Sequence, residues 1–212
     1  MQIYGYFRSS AAFRVRIALA LKGLDAETIP VHLRKGEQRD ADYHAVNPHG
    51  LVPALIDDGA TLTQSLAIVE YLDEVHPEPP LLPADPVDRA WVRALAQAVA
   101  CDIHPIQNLR VLNYLRANFA ADDGIVRGWC QHWIATGFDG LETMLTSDAR
   151  TGAFCYGNTP GLADIVLVPQ IANAINFKLD LAPYPTLTRI FDMCMALPAF
   201  ADAHPNRQPD AE

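Results

Sequence analysis

Two periods of apolar and polar positions run along this chain, and the change from one to the other divides it. Residues 2–7 form a short apolar run that ends at two hydroxyl residues, Ser9 and Ser10, and helical, amphipathic spacing follows as far as Lys22. The pattern predicts strand, turn and helix. Ile29, Val31 and Leu33 then alternate within residues 27–33, a second strand that completes a β-α-β unit. Residues 34–42 are polar and contain a glycine, which suits a loop or a short irregular helix. Pro48, Gly50 and Pro53 mark a turn into a short strand, and Asp58-Gly59 reads as a hairpin turn toward Leu62. A proline beside Val52 cannot donate a ladder bond, so it suits a strand end or backbone that serves a ligand, and the Val52–Pro53 bond is a candidate for the cis form. Gln64-Ser65 opens the next helix, with Leu66, Ile68, Val69, Leu72 and Val75 apolar and Glu70, Asp73 and Glu74 polar.

Residues 76–86 hold five prolines in eleven positions, a stiff linker and a domain boundary. Beyond it strand signals nearly vanish, and helical spacing covers 87–119, 125–145, 162–177 and 187–195. Pro105 should kink the first of these. Val126, Trp129, Cys130, Trp133, Ile134, Leu141 and Met144 make one face of the second, expected to be core. The third is apolar on nearly every side and must be buried; Asp164, three residues after Gly161, has the spacing of a carboxylate that caps its own helix. The predicted architecture is an α/β N-terminal domain over 1–80 and an all-α domain over 88–212.

With 212 residues, half of them apolar, a substantial core is possible. No apolar run approaches the roughly 20 residues that cross a bilayer, and no secretory signal opens the chain, so a soluble cytoplasmic protein is expected. Cys101, Cys130, Cys155 and Cys194 lack metal-ligand spacing and read as reduced core residues. A formal charge of −9 argues against nucleic acid as a partner. An anionic substrate remains open, because local arginines focus positive potential inside an acidic protein. Arg8, Arg14, Arg16 and Arg110 are the candidates.

The chemistry gathers at two helix starts. Ser9 or Ser10 can cap the first helix, and the free N–H groups there favour an anion, which could be a thiolate, with Arg8 adding a full charge. Gln64 and Ser65 repeat the arrangement. Ordinary capping is the alternative at both.

Ser9-Ser10-Ala11-Ala12-Phe13-Arg14-Val15-Arg16-Ile17-Ala18-Leu19 resembles the signature of the zeta-class glutathione transferases, with Ala11 where that class carries a cysteine. Asn47-Pro48, Val52-Pro53, the run from Gln64-Ser65 to Leu72, Leu81-Leu82-Pro83, Gln107-Asn108-Leu109, Ala163-Asp164, Val168-Pro169-Gln170 and the tail around His204-Pro205 extend the resemblance along the whole chain. It implies a thioredoxin-like N-terminal domain that holds glutathione, an all-helical C-terminal domain and a homodimer. The implied activity is glutathione-dependent cis-trans isomerisation of a maleyl keto acid in aromatic catabolism. Ser9 then activates the sulfur, and Ser10, Ala11, Gln38, Val52, Gln64, Ser65, His104 and Asn108 hold glutathione, Val52 through its backbone and Gln64 with Ser65 through the γ-glutamyl carboxylate. To these the reading adds Asp102, whose carboxylate could reach the ligand's α-amino group in its own or the partner subunit.

At the substrate end the chain departs from the class. Zeta-class maleylacetoacetate isomerases generally carry an arginine at the position of Asn176 and a small polar residue at that of Arg110, which follows Leu109; here the two are exchanged. A guanidinium fork that holds a carboxylate has moved, and maleylpyruvate is one methylene shorter than maleylacetoacetate. The expectation is that Arg8 and Arg110 hold the two carboxylates of maleylpyruvate, as in gentisate breakdown, with Arg14 and Arg16 in surface or interface ion pairs. A maleylacetoacetate isomerase, a conjugating or dehalogenating transferase and a non-enzymatic module are the competing readings. Two arginines favour a dicarboxylate over an apolar substrate, and two intact anion-friendly helix starts argue against a module without ligand.

Overall fold

The computed structural model describes all 212 residues, and the chain falls into two compact units. The first unit comprises Met1–Leu81 with Met195–Glu212, and the second Leu82–Cys194. The sequence reading assigned the tail to the helical domain; instead the last residues pack with the first unit, through α9 (Pro198–Ala201) against α1 (Ser10–Lys22).

In the first unit β1 (Gln2–Gly5), β2 (Glu27–Pro30), β3 (Ala54–Asp57) and β4 (Ala60–Thr63) form one sheet in the order β2-β1-β3-β4. β1 runs parallel to β2 and antiparallel to β3, the mixed pattern of a thioredoxin-like domain. β2 stops at Pro30, short of the predicted 27–33, because proline ends the ladder. The 34–42 stretch holds a single 3-10 turn at Glu37–Arg39, and the reading missed α2 (Ala41–Val46) beyond it. Val52–Pro53 is cis, as is Glu78–Pro79.

α1 is not amphipathic: Ala12, Phe13, Arg14, Val15, Ile17, Ala18, Leu19 and Lys22 are all buried. α3 (Ser65–Val75) packs on it as well as α9, so a helix expected to show a wet face leaves only Ala20 exposed. His204, in the tail, meets the edge of the Phe13 ring. Burial, then the charges of Arg16 and Arg207, hold its pKa below the usual 6.5. The unfolded chain therefore binds this proton more readily, and stability must fall as pH drops below 6.5 through the ring's own depressed value. His204→Asn should flatten that part of the stability-versus-pH curve, as followed by urea unfolding, and an unchanged slope would show that another group dominates.

In the second unit the predicted long helix at 87–119 is interrupted, not merely kinked. α4 (Pro86–Gln97) passes into a π-helical turn, Ala98–Ile103, then a 3-10 turn, Pro105–Gln107, before α5 (Leu109–Phe119). Pro105 has no N–H to continue the ladder. α6 (Asp123–Ser147) approaches the π turn so closely that a Cβ at Gly137 would collide with Ile103. The core face of α6 is Val126, Cys130, Ile134, Phe138, Leu141 and Leu145; Trp129, Trp133 and Met144, assigned to it from spacing, are only half-buried. Trp129 has a polar use, donating Nε1–H to the Ile106 carbonyl at 2.8 Å. α7 (Leu162–Asn176) is the buried helix expected, and α8 (Pro185–Met195) follows. Asp164 accepts from the backbone N–H of Gly161 at 2.9 Å and of Cys155 at 2.8 Å, a structural carboxylate whose pKa burial pushes up. Three cysteines are buried thiols, but Cys101 is exposed on the π turn, contrary to its reading as core. No helix is long and apolar enough to cross a membrane.

Candidate active site

Sheet register brings the chemistry of the first unit to one edge. Tyr4 pairs with Ala54 and Ala54 with Thr63, so the end of β1, the start of β3 and the end of β4 share a row. Arg8-Ser9, Val52 and Gln64-Ser65 leave the sheet within a few residues of that row. Gly5 pairs with Pro30, and the segment leading to Gln38 departs from the same end.

Of the two candidate caps it is Ser9 that caps α1, accepting from the Ala12 N–H at 3.2 Å, while its own N–H donates to the Tyr6 carbonyl. Its hydroxyl proton is left to point elsewhere, beside the first N–H groups of the helix, those of Ser10 and Ala11, which have no intrahelical acceptor. Ser10 and Ala11 are half-buried at the helix start. Arg8 is exposed, without a hydrogen bond or ion pair. The Tyr6 hydroxyl is buried without a partner among Phe7, Val31, Tyr43 and Val52, and burial raises its pKa, whereas Ser9 is half-buried at the helix start.

At α3 the cap position belongs to Gln64, with φ 70° and ψ 115°, and its side chain makes no capping bond. A non-glycine residue held there costs about 1–3 kcal/mol, strain that clusters at functional sites. Ser65 is the first helical residue and buried, and its Oγ accepts from Arg14 Nη1 at 3.1 Å. Simple capping by Ser65 is therefore excluded. An oxygen that accepts from a guanidinium has its O–H free to donate outward. Arg14 is no surface residue, as had been expected: it is 2% exposed. Its place among Phe13, Val15 and Ile17 on a helix without a wet face is the signal that could have disclosed it. Arg16, expected in a surface or interface ion pair, instead donates to the backbone carbonyls of Ala203 and Phe7.

Val52 is 9% exposed, and neither its N–H nor its carbonyl finds a partner in the fold. Gln38 lies in the 3-10 turn with its Oε1 buried and unpartnered. Neither α1 nor α3 has an acidic residue in its first turn, whereas α4, α6 and α7 carry Asp88, Asp123 and Asp164. The positive ends of the two helices at the sheet edge are thus not neutralised by the chain itself.

The second unit carries the remaining candidates around the helix break. Asp102 is exposed on the π turn, and His104 is half-buried at its end. Asn108 caps α5, accepting from the Arg110 N–H at 3.2 Å, and Leu109 is the half-buried first helical residue. Arg110 sits in the first turn, where the helix dipole disfavours a cation, and its exposed guanidinium has no hydrogen bond or ion pair. Asn176 is exposed at the last residue of α7. Gln107 ties the two segments together, for its Oε1 accepts from Gln170 and Asn173 of α7. No His, Cys, Asp and Glu cluster suits a metal.

The mixed four-stranded sheet, with two helix starts that carry no carboxylate at one edge, defines a thioredoxin-like domain. Residues 1–74 match the family model for the glutathione S-transferase N-terminal domain. The chain is 52% identical to a probable maleylacetoacetate isomerase of Vibrio cholerae, over 99% of its own length and 97% of the relative's. It matches the holo structure of maleylpyruvate isomerase, a bacterial zeta-class transferase, with a TM-score of 0.99 and 47% identity over all of both chains. The structure of maleylacetoacetate isomerase from Methylobacterium extorquens AM1, with bound malonate and glutathione, matches at a TM-score of 0.97 and 46% identity, again over the full length of both. The chain belongs to the zeta class of the glutathione transferases, together with the maleylpyruvate and maleylacetoacetate isomerases.

Proposed function

We propose that this protein is a glutathione-dependent cis-trans isomerase of a maleyl keto acid, with maleylpyruvate as its preferred substrate and fumarylpyruvate as product. The observation that carries the reading is the sheet edge where Ser9, the free Val52 backbone and Ser65 converge on two helix starts without carboxylates. Those residues fit a γ-glutamyl peptide with a thiol.

Bound there, glutathione supplies a thiolate that adds to the alkene carbon activated by the conjugated ketone and, after rotation about the new single bond, leaves with its electron pair. The chain's part is positional and electrostatic. The Ser9 O–H and the N-terminus of α1 favour the thiolate over a thiol whose ordinary pKa is about 8.5. The Val52 N–H and carbonyl pair with the peptide, and Ser65 with the start of α3 and Gln64 receives the γ-glutamyl carboxylate. Ser10, Ala11, Gln38, Asp102, His104 and Asn108 complete the glutathione contacts. No protein thiol is needed, so Ala11 in place of the class cysteine is compatible with isomerisation.

Arg8 and Arg110 anchor the substrate carboxylates. Both guanidinium groups lack a partner within the chain, and Arg110 stands where only an anion offsets the dipole. Leu109 and Asn176 complete the proposed substrate contacts. Arg110→Ala should lower kcat/KM for maleylpyruvate about 10- to 100-fold, the worth of one charge-assisted hydrogen-bonded contact, and leave the KM for glutathione unchanged. Equal losses in both would remove Arg110 from the substrate. The decisive assay compares maleylpyruvate and maleylacetoacetate, each with and without glutathione. Preference for maleylacetoacetate keeps the reaction and refutes the arginine argument; no isomerisation of either leaves a conjugating or dehalogenating transferase. A cytoplasmic homodimer accompanies the proposal, and light scattering in solution tests the dimer.

A further inference from the structure

Immediately before Ser9 the chain has left the β1 ladder but not yet entered α1, and the peptide groups of Phe7 lie in that gap. Two charged side chains from elsewhere take hold of them. The Phe7 N–H donates to Asp210 Oδ2 at 3.0 Å, and the Phe7 carbonyl accepts from Arg16 Nη2 at 3.1 Å. Arg16 is itself fixed by donating Nε–H to the Ala203 carbonyl at 3.0 Å, with its guanidinium 5.4 Å from the centre of the Phe13 ring. Gln208 ties the same tail together through the carbonyls of Asp202 and His204. A small cavity of about 10 Å³ lies among Ile3, Phe7, Arg16 and Asp210.

We propose that Asp210 and Arg16 are positioning residues for Ser9: by gripping both sides of Phe7 they set the turn that aims the Ser9 hydroxyl at the glutathione sulfur. Both bonds are charge-assisted, and such bonds are the stronger and more directional kind. The Ser9 N–H continues the chain of restraint to the Tyr6 carbonyl at 2.9 Å. Burial lowers the Arg16 pKa to about 10, and the Asp210 charge works against that fall, so the guanidinium is charged at neutral pH. The tail thus returns to the first unit for a purpose beyond covering α1. The inference rests on the assignment of Ser9 to the glutathione thiol.

The test compares Asp210→Ala and Asp210→Asn with the wild type, in the full-length protein. The readouts are the pKa of bound glutathione, from its ultraviolet thiolate absorbance, kcat at saturating glutathione, the Kd for glutathione, and Tm. Asp210→Ala should raise the bound thiol's pKa by about one unit and cut kcat below neutral pH about tenfold, since thiolate is then scarcer by that factor. The Kd should move less than about twofold. Asp210→Asn keeps an oxygen for the Phe7 N–H and should restore both values. Normal thiol pKa and kcat in Asp210→Ala, whatever its Tm, overturn the proposal, as does a loss that asparagine fails to rescue. If Asp210→Ala does not fold, Arg16→Lys puts the same question at the carbonyl side, with the same expected rise in thiol pKa. The thiol titration needs no isomerase substrate: a shift in a protein without isomerase activity sinks the isomerase reading alone, and unshifted variants of an active isomerase sink only the positioning role.

Discussion

Ser9→Ala is expected to lower glutathione-dependent isomerisation by about two to three orders of magnitude, the effect of removing one donor aimed at a reacting anion in a preorganised site. Ser9 does two jobs that this substitution separates. Its oxygen accepts from the Ala12 N–H and so caps α1, a contribution of about 1 kcal/mol to stability. Its proton, committed to nothing in the fold, is the donor proposed for the sulfur. Alanine removes both; Ser9→Asn keeps a capping oxygen but replaces the hydroxyl. Asparagine should therefore recover Tm without recovering turnover, and the bound thiol should titrate higher in both variants. Full turnover in Ser9→Ala at saturating glutathione would transfer thiol activation to the helix N-terminus alone.

Lys22→Met is expected to destabilise the first unit by about 3–5 kcal/mol, the penalty for breaking one half of a buried ion pair. The Lys22 side chain is fully buried, and its Nζ reaches Asp73 Oδ1 at 2.6 Å, the His76 carbonyl at 2.7 Å and the Pro79 carbonyl. Asp73 Oδ1 also accepts from the Leu81 N–H at 2.8 Å. One ammonium thus closes the C-terminal ends of α1 and α3, where a cation suits both dipoles, and pins the proline-rich segment behind them. Methionine keeps the volume but strands the carboxylate. Urea unfolding should show a lower midpoint at an unchanged slope, and adding Asp73→Leu should recover part of the loss, because the second substitution removes the stranded charge. A loss below about 1 kcal/mol would mean that water enters and replaces the ammonium.

Local signals carried much of the fold to the surface of the sequence. Period two at the start and helical period after the prolines separate a small sheet from a helical region, because each period reflects backbone geometry within a few residues. Proline at 53 and the Gly161–Asp164 spacing likewise report their immediate neighbours. Where the prediction failed, the cause was in some places local and in others a distant partner. β2 was shortened by its own Pro30, but the predicted wet face of α1 vanished because α3 and α9 cover it. The tryptophans of α6 match core spacing, yet Trp129 sits at the edge to serve the Ile106 carbonyl.

The candidate site divides in the same way. Ser9, Val52, Gln64 and Ser65 were legible as residue types at two helix starts and one interrupted strand, and Arg110 stood out only by its exchange with Asn176 relative to the class; that it opens a helix became visible with the break before α5. That they share an edge follows only from the register of β1, β3 and β4. Arg14 under Ser65, Lys22 between two helix ends and Asp210 on Phe7 link residues 51 to 203 positions apart. By itself the sequence determined the elements, their order and the chemical groups each offers, since propensity, capping and proline act over a turn or two. The tertiary structure alone decided what each buried charge meets and what holds the turn before Ser9, because a contact across such a separation leaves no trace in the spacing of either residue.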